Sequence, residues 1–280
     1  MRRLTASKRF EPTASSRPER GLPSAPPAFT VLAGLGVAFF LLPLLGLLLR
    51  APWTEAAALL TSTESLTALR LSLLASLSAT AIAIALGVPL AWILARVAFP
   101  GRAVLRALTV LPMVLPPVVG GVALLTAFGR SGIAGGWLYQ TLGVHLPFTT
   151  AGAILAETFV AMPFLVITLE AGLRSMDRRF EDAARTLGAR RWTVLWRVTL
   201  PLVRPSLVAG AVLCWARALG EFGATITFAG NFPGRTQTLP LAVYLALETN
   251  SSASILLSLV LLAVSLAVLV ALRDRWLGAP

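Results

Sequence analysis

"EDAARTLGARRWTVLWRVTLP", residues 181–201, lies between two long apolar segments and packs six charged side chains and two tryptophans into 21 residues. A connection between apolar segments is ordinarily short and made of turn residues. Read as a helix, this stretch puts Ala183, Ala184 and Leu187 on one face, with Glu181 and Asp182 in the first turn. Negative charge there suits the positive end of the helix dipole. Gly188 is a helix stop. A second short helix, "RRWTVLWRVTL" (190–200), places Trp192, Leu195 and Trp196 on one apolar side, and Pro201 is expected to end it. The product is a helix pair whose small face permits close approach and whose tryptophans offer area to a pocket. Periodicity leaves two readings open: an amphipathic hairpin on a bilayer surface with arginines against lipid phosphates, or an element that docks into another protein.

Composition decides the solvent. The chain is 56% hydrophobic and 13% charged, about half the charged fraction of an ordinary soluble domain, and long stretches carry no charge. An integral membrane protein is expected. The formal charge of +12 does not point to nucleic acid, because the arginines lie between apolar runs rather than on a soluble patch. Cys214 and His145 are the only cysteine and histidine, so no intrachain disulfide and no zinc site is expected. Lys8 is the only lysine. A nucleotide-binding Walker A loop needs a lysine on the phosphates at the end of a glycine-rich loop; this sequence supplies none, and no catalytic residue is assigned to it.

Residues 1–28 are polar, basic and rich in Pro and Ser, and read as a disordered tail. Phe29–Leu49 is too long for a signal-peptide core and reads as a permanent first span of about 32 Å. Five more spans follow at about Leu71–Ala95, Ala107–Phe128, Ala151–Leu169, Leu207–Phe228 and Ser254–Leu272. The expected fold class is an all-α integral membrane protein with six transmembrane helices. Arginine placement orients it. With a cytoplasmic N-terminus, 19 of the 24 Lys and Arg residues fall inside, four outside (Arg50, Arg70, Arg130, Arg235) and Arg217 within a span. Both termini and the opening stretch are then cytoplasmic, in a multi-pass protein of the cell (inner) membrane.

From Asp182 the stretch reads D-A-A-x3-G-x9-V-x-L-P, ending at Val198, Leu200 and Pro201. It resembles the cytoplasmic loop motif of ABC importer permeases, E-A-A-x3-G-x9-I-x-L-P, with Asp182 at the acidic position beside Glu181 and Val198 in place of Ile. The resemblance extends to "LGVPLAWILARVAFPGR" (86–102), "LPMVLPPVVGGVALLTAFGRSG" (111–132) and "ARALGEFGATITFAGNFPGRTQTLPLAVY" (216–244), which look like the molybdate permease subunit family; about residues 65–273 are covered. It implies a type I ABC importer permease fold with a coupling helix between spans 4 and 5, in a loop over 171–204. It further implies a homodimer of this permease, two copies of an ABC ATPase and an extracytoplasmic molybdate-binding protein. ATP and Mg would be bound by the ATPase and no cofactor by this chain. The coupling residues carried over are Glu181, Asp182, Ala183, Ala184, Gly188, Trp192, Val198, Leu200 and Pro201. The mechanism implied is alternating access driven through that loop.

Several residues fit conduction on their own chemistry. Pro112, Pro116 and Pro117 precede Gly120 and Gly121 in the third span; prolines break the helix, and freed carbonyls must then face protein or a wet cavity. A kinked, well-packed span explains them equally. Arg217 and Glu221, four apart in the fifth span, fit an internal salt bridge, a gate, or both. Glu157 in the fourth span is a candidate partner for an arginine. Asn231, Arg235, Thr236, Gln237 and Thr238 offer outer-face contacts to an anion or a binding protein, or serve only the loop. Tungstate or sulfate as cargo, an ion-gradient-driven secondary transporter, and a non-transporting scaffold are the rival readings. Membrane lipids are partners in all of them.

Overall fold

The computed structural model describes residues 26–277. The tail expected over 1–28 lies, as far as residue 25, outside the described residues, as do the side chains of Arg273 and Arg275. The chain divides into two units at Gly46–Leu47. The first contains most of α1 (Pro27–Arg50), an uninterrupted apolar helix with Pro43 inside it. At 1.5 Å per residue it is about 36 Å long, enough for one crossing.

The second unit runs α2 (Ala56–Leu60), α3 (Thr63–Arg96), α4 (Arg102–Val114), α5 (Pro117–Phe128), α6 (Ile133–Leu142), α7 (Thr150–Ser175) and α8 (Arg179–Thr186). It continues with α9 (Arg191–Val194), a π-helical turn (Leu195–Thr199), α10 (Leu200–Leu202), α11 (Arg204–Leu219), α12 (Gly223–Ala229), α13 (Leu239–Thr249) and α14 (Ser251–Leu277). No strand occurs among the described residues. Counting α1, four helices are long and apolar enough to cross a membrane alone. Two bent pairs, α4 with α5 and the α9–α10 run with α11, raise the crossings to at most six.

α7 is the post around which this unit is built. Towards the arginine-rich end, Val166, Leu169 and Leu173 pack on Ala91, Leu94 and Ala95 of α3 and on Val203. At mid-height Ala161 and Leu165 meet Ala79 and Ala83 of α3 and Cys214 and Ala218 of α11. At the other end Ala156 and Val160 meet Leu124 of α5 and Ala224 and Phe228 of α12. The buried face of α3 is a run of small residues, Ala68, Ser72, Ala75, Ser76, Ala79, Thr80, Ala83, Gly87 and Ala91. Lipid tails are as apolar as leucine, so helices associate in a bilayer by close backbone approach, and small residues permit it.

Two expected spans prove to be broken. The third splits between Val114 and Pro117, where the axes of α4 and α5 turn by 119°. Pro117 cannot donate the amide a continuing helix needs, and it suits the first turn of a new one instead. The fifth stops at Leu219 and resumes at Gly223. The second span begins earlier than expected, at Thr63, because Ser62 caps it by accepting the Ser65 amide at 3.3 Å. Pro201 does not end its helix: it sits inside α10, and the chain bends by 73° at Val203, between α10 and α11.

The broken helices pack on one another. A Cβ added to Gly121 of α5 would stand 2.5 Å from the Thr227 Cβ and 3.0 Å from the Ala224 carbonyl oxygen of α12. At Gly120 the nearest neighbour is the Phe159 ring at 3.3 Å, which can shift slightly. Gly121→Ala is therefore expected to destabilise by about 1–3 kcal/mol through overpacking, and Gly120→Ala by much less. Thermal denaturation of the purified protein in detergent checks the order; equal losses would contradict the close contact of α5 with α12.

Candidate functional site

The short helix α8 is built to stand at a surface. Asp177 accepts the Arg179 amide at 2.9 Å and opens it, and Glu181 and Asp182 occupy its first turn. Its end is a Schellman closure: the Gly188 amide donates to the Arg185 carbonyl at 2.9 Å and the Ala189 amide to the Ala184 carbonyl at 3.0 Å. That closure needs the left-handed conformation Gly188 adopts, with φ +81°. Space around Gly188 is open.

The two acids of the first turn do different things. Asp182, at the motif's acidic position, is exposed and pairs only with Arg185, at 3.3 Å. Glu181 is buried; the Thr199 hydroxyl donates to its Oε1 at 2.8 Å, and Arg96 Nη2 lies 3.5 Å from the same oxygen. Glu181 thereby ties α8 to the end of α3 and to the π-helical turn. Val194 and Thr199 are buried, whereas Phe180, Leu187, Trp192 and Trp196 are exposed. Ala183 and Pro201 are exposed too, with Ala184, Val198 and Leu200 half-buried. The result is an apolar surface rimmed by arginines and fixed from beneath.

A second carboxylate reinforces this end. Glu170 of α7 is buried, takes Arg106 through Nη2 at 2.6 Å and Nε at 3.0 Å, and takes Arg174 at 2.9 Å. Sequence reading used Arg96, Arg106 and Arg174 only to count charge and missed Glu170. Its i,i+4 spacing to Arg174 was the available signal; the partnership with Arg106, 64 positions away, was not visible.

The charged pair of the fifth span is confirmed as a contact: Arg217 Nη2 stands 2.5 Å from Glu221 Oε2. Glu221 Oε1 also accepts the Ala224 amide at 2.7 Å, which caps α12 across the helix break. Gly223 lies against Pro117, where an added Cβ would come within 2.8 Å of the proline Cβ. The structure thus brings Pro116–Pro117 and Arg217–Glu221 to the same place, while Pro112 lies separately inside α4. Glu157 is buried in α7, but its Oε2 has no hydrogen-bond partner and no ion pair joins it to an arginine among the described residues. The expected arginine partner is not found among the described residues, and the arginine of the fifth span, Arg217, pairs with Glu221 instead.

At the opposite end, three of the five residues read as outer or loop contacts close a turn through their backbone amides. The Phe232 carbonyl accepts the amides of Arg235, Thr236 and Gln237, and Thr236 Oγ1 accepts the Phe232 amide at 3.0 Å. Thr236, Gln237 and Thr238 are buried, and Asn231 is half-buried. Only Arg235 of the five is exposed, and its carbonyl is held by Thr150 Oγ1 at 2.7 Å. Ser72 Oγ accepts the Leu239 amide at 2.6 Å and anchors α13 to α3.

Known proteins resemble this chain in sequence and in fold. The chain is 48% identical over 242 residues to the molybdenum transport system permease protein ModB of Mycobacterium tuberculosis, covering 86% of this chain and 90% of the relative. It is 43% identical over 211 residues to the Escherichia coli protein of the same name, covering 75% and 92%. The E. coli sulfate transport system permease protein CysT is 36% identical over 251 residues, covering 87% and 90%. A solved bacterial ABC transporter involved in import of the acidic polysaccharide alginate superposes with a TM-score of 0.69 at 18% identity, covering 89% of this chain and 92% of that one. Broken apolar helices around α7, with a capped surface helix at the arginine-rich end, define a membrane permease subunit of the type I ABC importer fold. The chain belongs to the family of binding-protein-dependent transport system inner membrane components, whose model matches residues 87–279.

The Arg217–Glu221 contact gives a direct test. Removing one partner of a buried pair leaves an uncompensated charge, at a cost of about 3–5 kcal/mol. Arg217→Ala and Glu221→Ala should each lower the yield of folded protein, and the double variant should recover part of the loss. Glu221→Ala should remain the worse single change, because it also removes the cap on α12. Strictly additive losses in a double-mutant cycle would contradict the pairing.

Proposed function

We propose that this chain is the permease subunit of an ATP-driven molybdate importer, lying in the cell membrane with both termini and α8 on the cytoplasmic side. The observation that carries the reading is α8 itself. It is capped, exposed on its apolar side and anchored by buried Glu181, in a chain that matches permeases named for molybdenum transport over 75% and 86% of its length. Identities of 48% and 43% to those relatives against 36% to the sulfate permease favour molybdate. Tungstate, nearly the same in size and charge, is the second cargo this chemistry fits.

Two copies of the chain would enclose the pathway, each presenting α8 to one copy of an ATPase. ATP and Mg belong to that partner, since the single lysine of this sequence, Lys8, lies far from any glycine-rich phosphate loop. Closure of the ATPase pair draws the two α8 helices together and opens the bundle outward. Anion enters from a docked extracytoplasmic binding protein, and separation of the ATPases returns the bundle to its inward-open form. Arg217, Glu221 and the breaks beside them form the gate, and this chain is the moving wall.

Purification of the tagged protein from its native membrane under gentle detergent should recover an ATPase in equal amount. Gly188→Trp, which strains the left-handed cap and adds bulk at the docking surface, should insert normally and lose at least tenfold of that ATPase. Gly188→Asn, which tolerates positive φ, should lose much less. Uptake of radiolabelled molybdate into proteoliposomes should be suppressed by tungstate and little by sulfate. Recovery of the ATPase with Gly188→Trp at the wild-type level, or uptake driven by an ion gradient without nucleotide, would refute this function.

A further inference from the structure

The two buried carboxylates at the arginine-rich end are held in contrasting ways. Glu170 is saturated: Arg106 reaches it through two nitrogens, at 2.6 and 3.0 Å, and Arg174 adds a third donor at 2.9 Å. Glu181 has one good hydrogen bond, from Thr199, and a guanidinium that stops short at 3.5 Å. The side chain of Arg96 is only 7% exposed, yet its Nε and Nη2 make no hydrogen bond to another group of the chain. Buried donors without acceptors are costly, and native structures rarely keep them. A second arrangement of the same groups, in which Glu181 accepts from both nitrogens, would satisfy them.

The neighbouring backbone is suited to such a rearrangement. Thr199 is the last residue of the π-helical turn, an irregularity that widens the helix by a residue and recurs at functional positions. Val203, at the bend four residues later, donates its amide to the Thr199 carbonyl at 3.0 Å. A shift of Thr199 is therefore passed into the start of α11. Arg96, for its part, is the last residue of α3. Glu181 thus stands where α8, the end of α3 and the approach to α11 meet.

We propose that Arg96 and Thr199 are positioning residues that convert displacement of α8 into movement of the membrane helices. Thr199 carries it towards α11 and Arg96 carries it to α3, the Arg96–Glu181 contact tightening to a two-donor pair when α8 is drawn inward. Glu170 with Arg106 and Arg174 is the fixed joint against which that movement is made. This inference rests on the permease reading above. It adds that coupling strength, as distinct from ATPase docking, is set by a joint beneath the docking surface.

The test uses the permease purified with its native ATPase, reconstituted in liposomes with the binding protein and molybdate. Three quantities are read: ATPase recovered per permease, ATP hydrolysed, and molybdate accumulated per ATP. Arg96→Gln and Thr199→Val should each retain the ATPase in equal amount and lower molybdate accumulated per ATP by about five- to tenfold, the scale of a modest coupling energy. Thr199→Ser, which keeps the hydroxyl, should restore the ratio. The double variant should be no worse than Arg96→Gln alone, as expected of two residues acting through one carboxylate. An unchanged ratio in both single variants, or a fall that only tracks lost complex, would overturn the proposal. If Arg96→Gln fails to insert, the Thr199→Val and Thr199→Ser comparison decides by the same criteria. Failure of the wild type to retain any ATPase would instead overturn the permease reading on which this stands.

Discussion

One carboxylate, Glu221, resolves the constraint on which the membrane part of this protein depends. A helix that stops within an apolar phase exposes amides that no water will satisfy. At the break between α11 and α12, Glu221 Oε1 takes the Ala224 amide at 2.7 Å while Oε2 meets Arg217 at 2.5 Å. Helix cap and charge pair are thus a single object. Removing the arginine leaves a charged cap without its counter-ion, and removing the acid leaves both a bare amide and a bare guanidinium.

The second break, between α4 and α5, is handled by chemistry of another kind. Pro116 and Pro117 have no amide to orphan, and first-turn amides are unbonded in any helix. What the prolines cannot do is fill the gap, and Gly223 and Gly121 allow α12 to close on α5 instead. Two discontinuities that would each be a defect alone are sealed against each other. Around them α7 is continuous from Thr150 to Ser175 and packs at every level, so hinges lie beside a rigid post. An alternating-access machine needs that combination of fixed and yielding parts.

Much of this was legible from the residues. The apolar runs located the long helices α1, α3, α7 and α14, and the spacing from Asp182 to Pro201 located α8 and its glycine stop, because caps are local and their chemistry is written in adjacent positions. Where the reading departed from the structure, the deciding interaction was non-local. Sequence could not tell that Glu181, rather than the motif acid Asp182, turns inward, since that depends on Arg96 and Thr199 arriving from elsewhere. For Thr236 and Gln237 sequence left outer contacts and loop chemistry both open; their burial, in a turn around the Phe232 carbonyl, depends on packing that adjacent positions do not record. The span expected over 207–228 concealed a break, as hydropathy does not register a lost hydrogen bond that a nearby side chain replaces.

The asymmetry of the Arg217–Glu221 pair bears on how a dianion crosses in the proposed cycle. Arg217 keeps 27% of its side chain exposed, whereas Glu221 keeps 1%. The cation is the more exposed member and the acid is sealed, so in the proposed cycle an arriving anion would meet the guanidinium first. An unpaired arginine at that depth would attract a dianion strongly, in surroundings of low dielectric, and would retain it. With Glu221 paired to it, the guanidinium would present a charge largely cancelled at a distance. In the proposed cycle such an anion would be tolerated but not trapped, as passage requires: affinity would belong to the protein that collects the cargo, and the wall that releases it would be nearly indifferent.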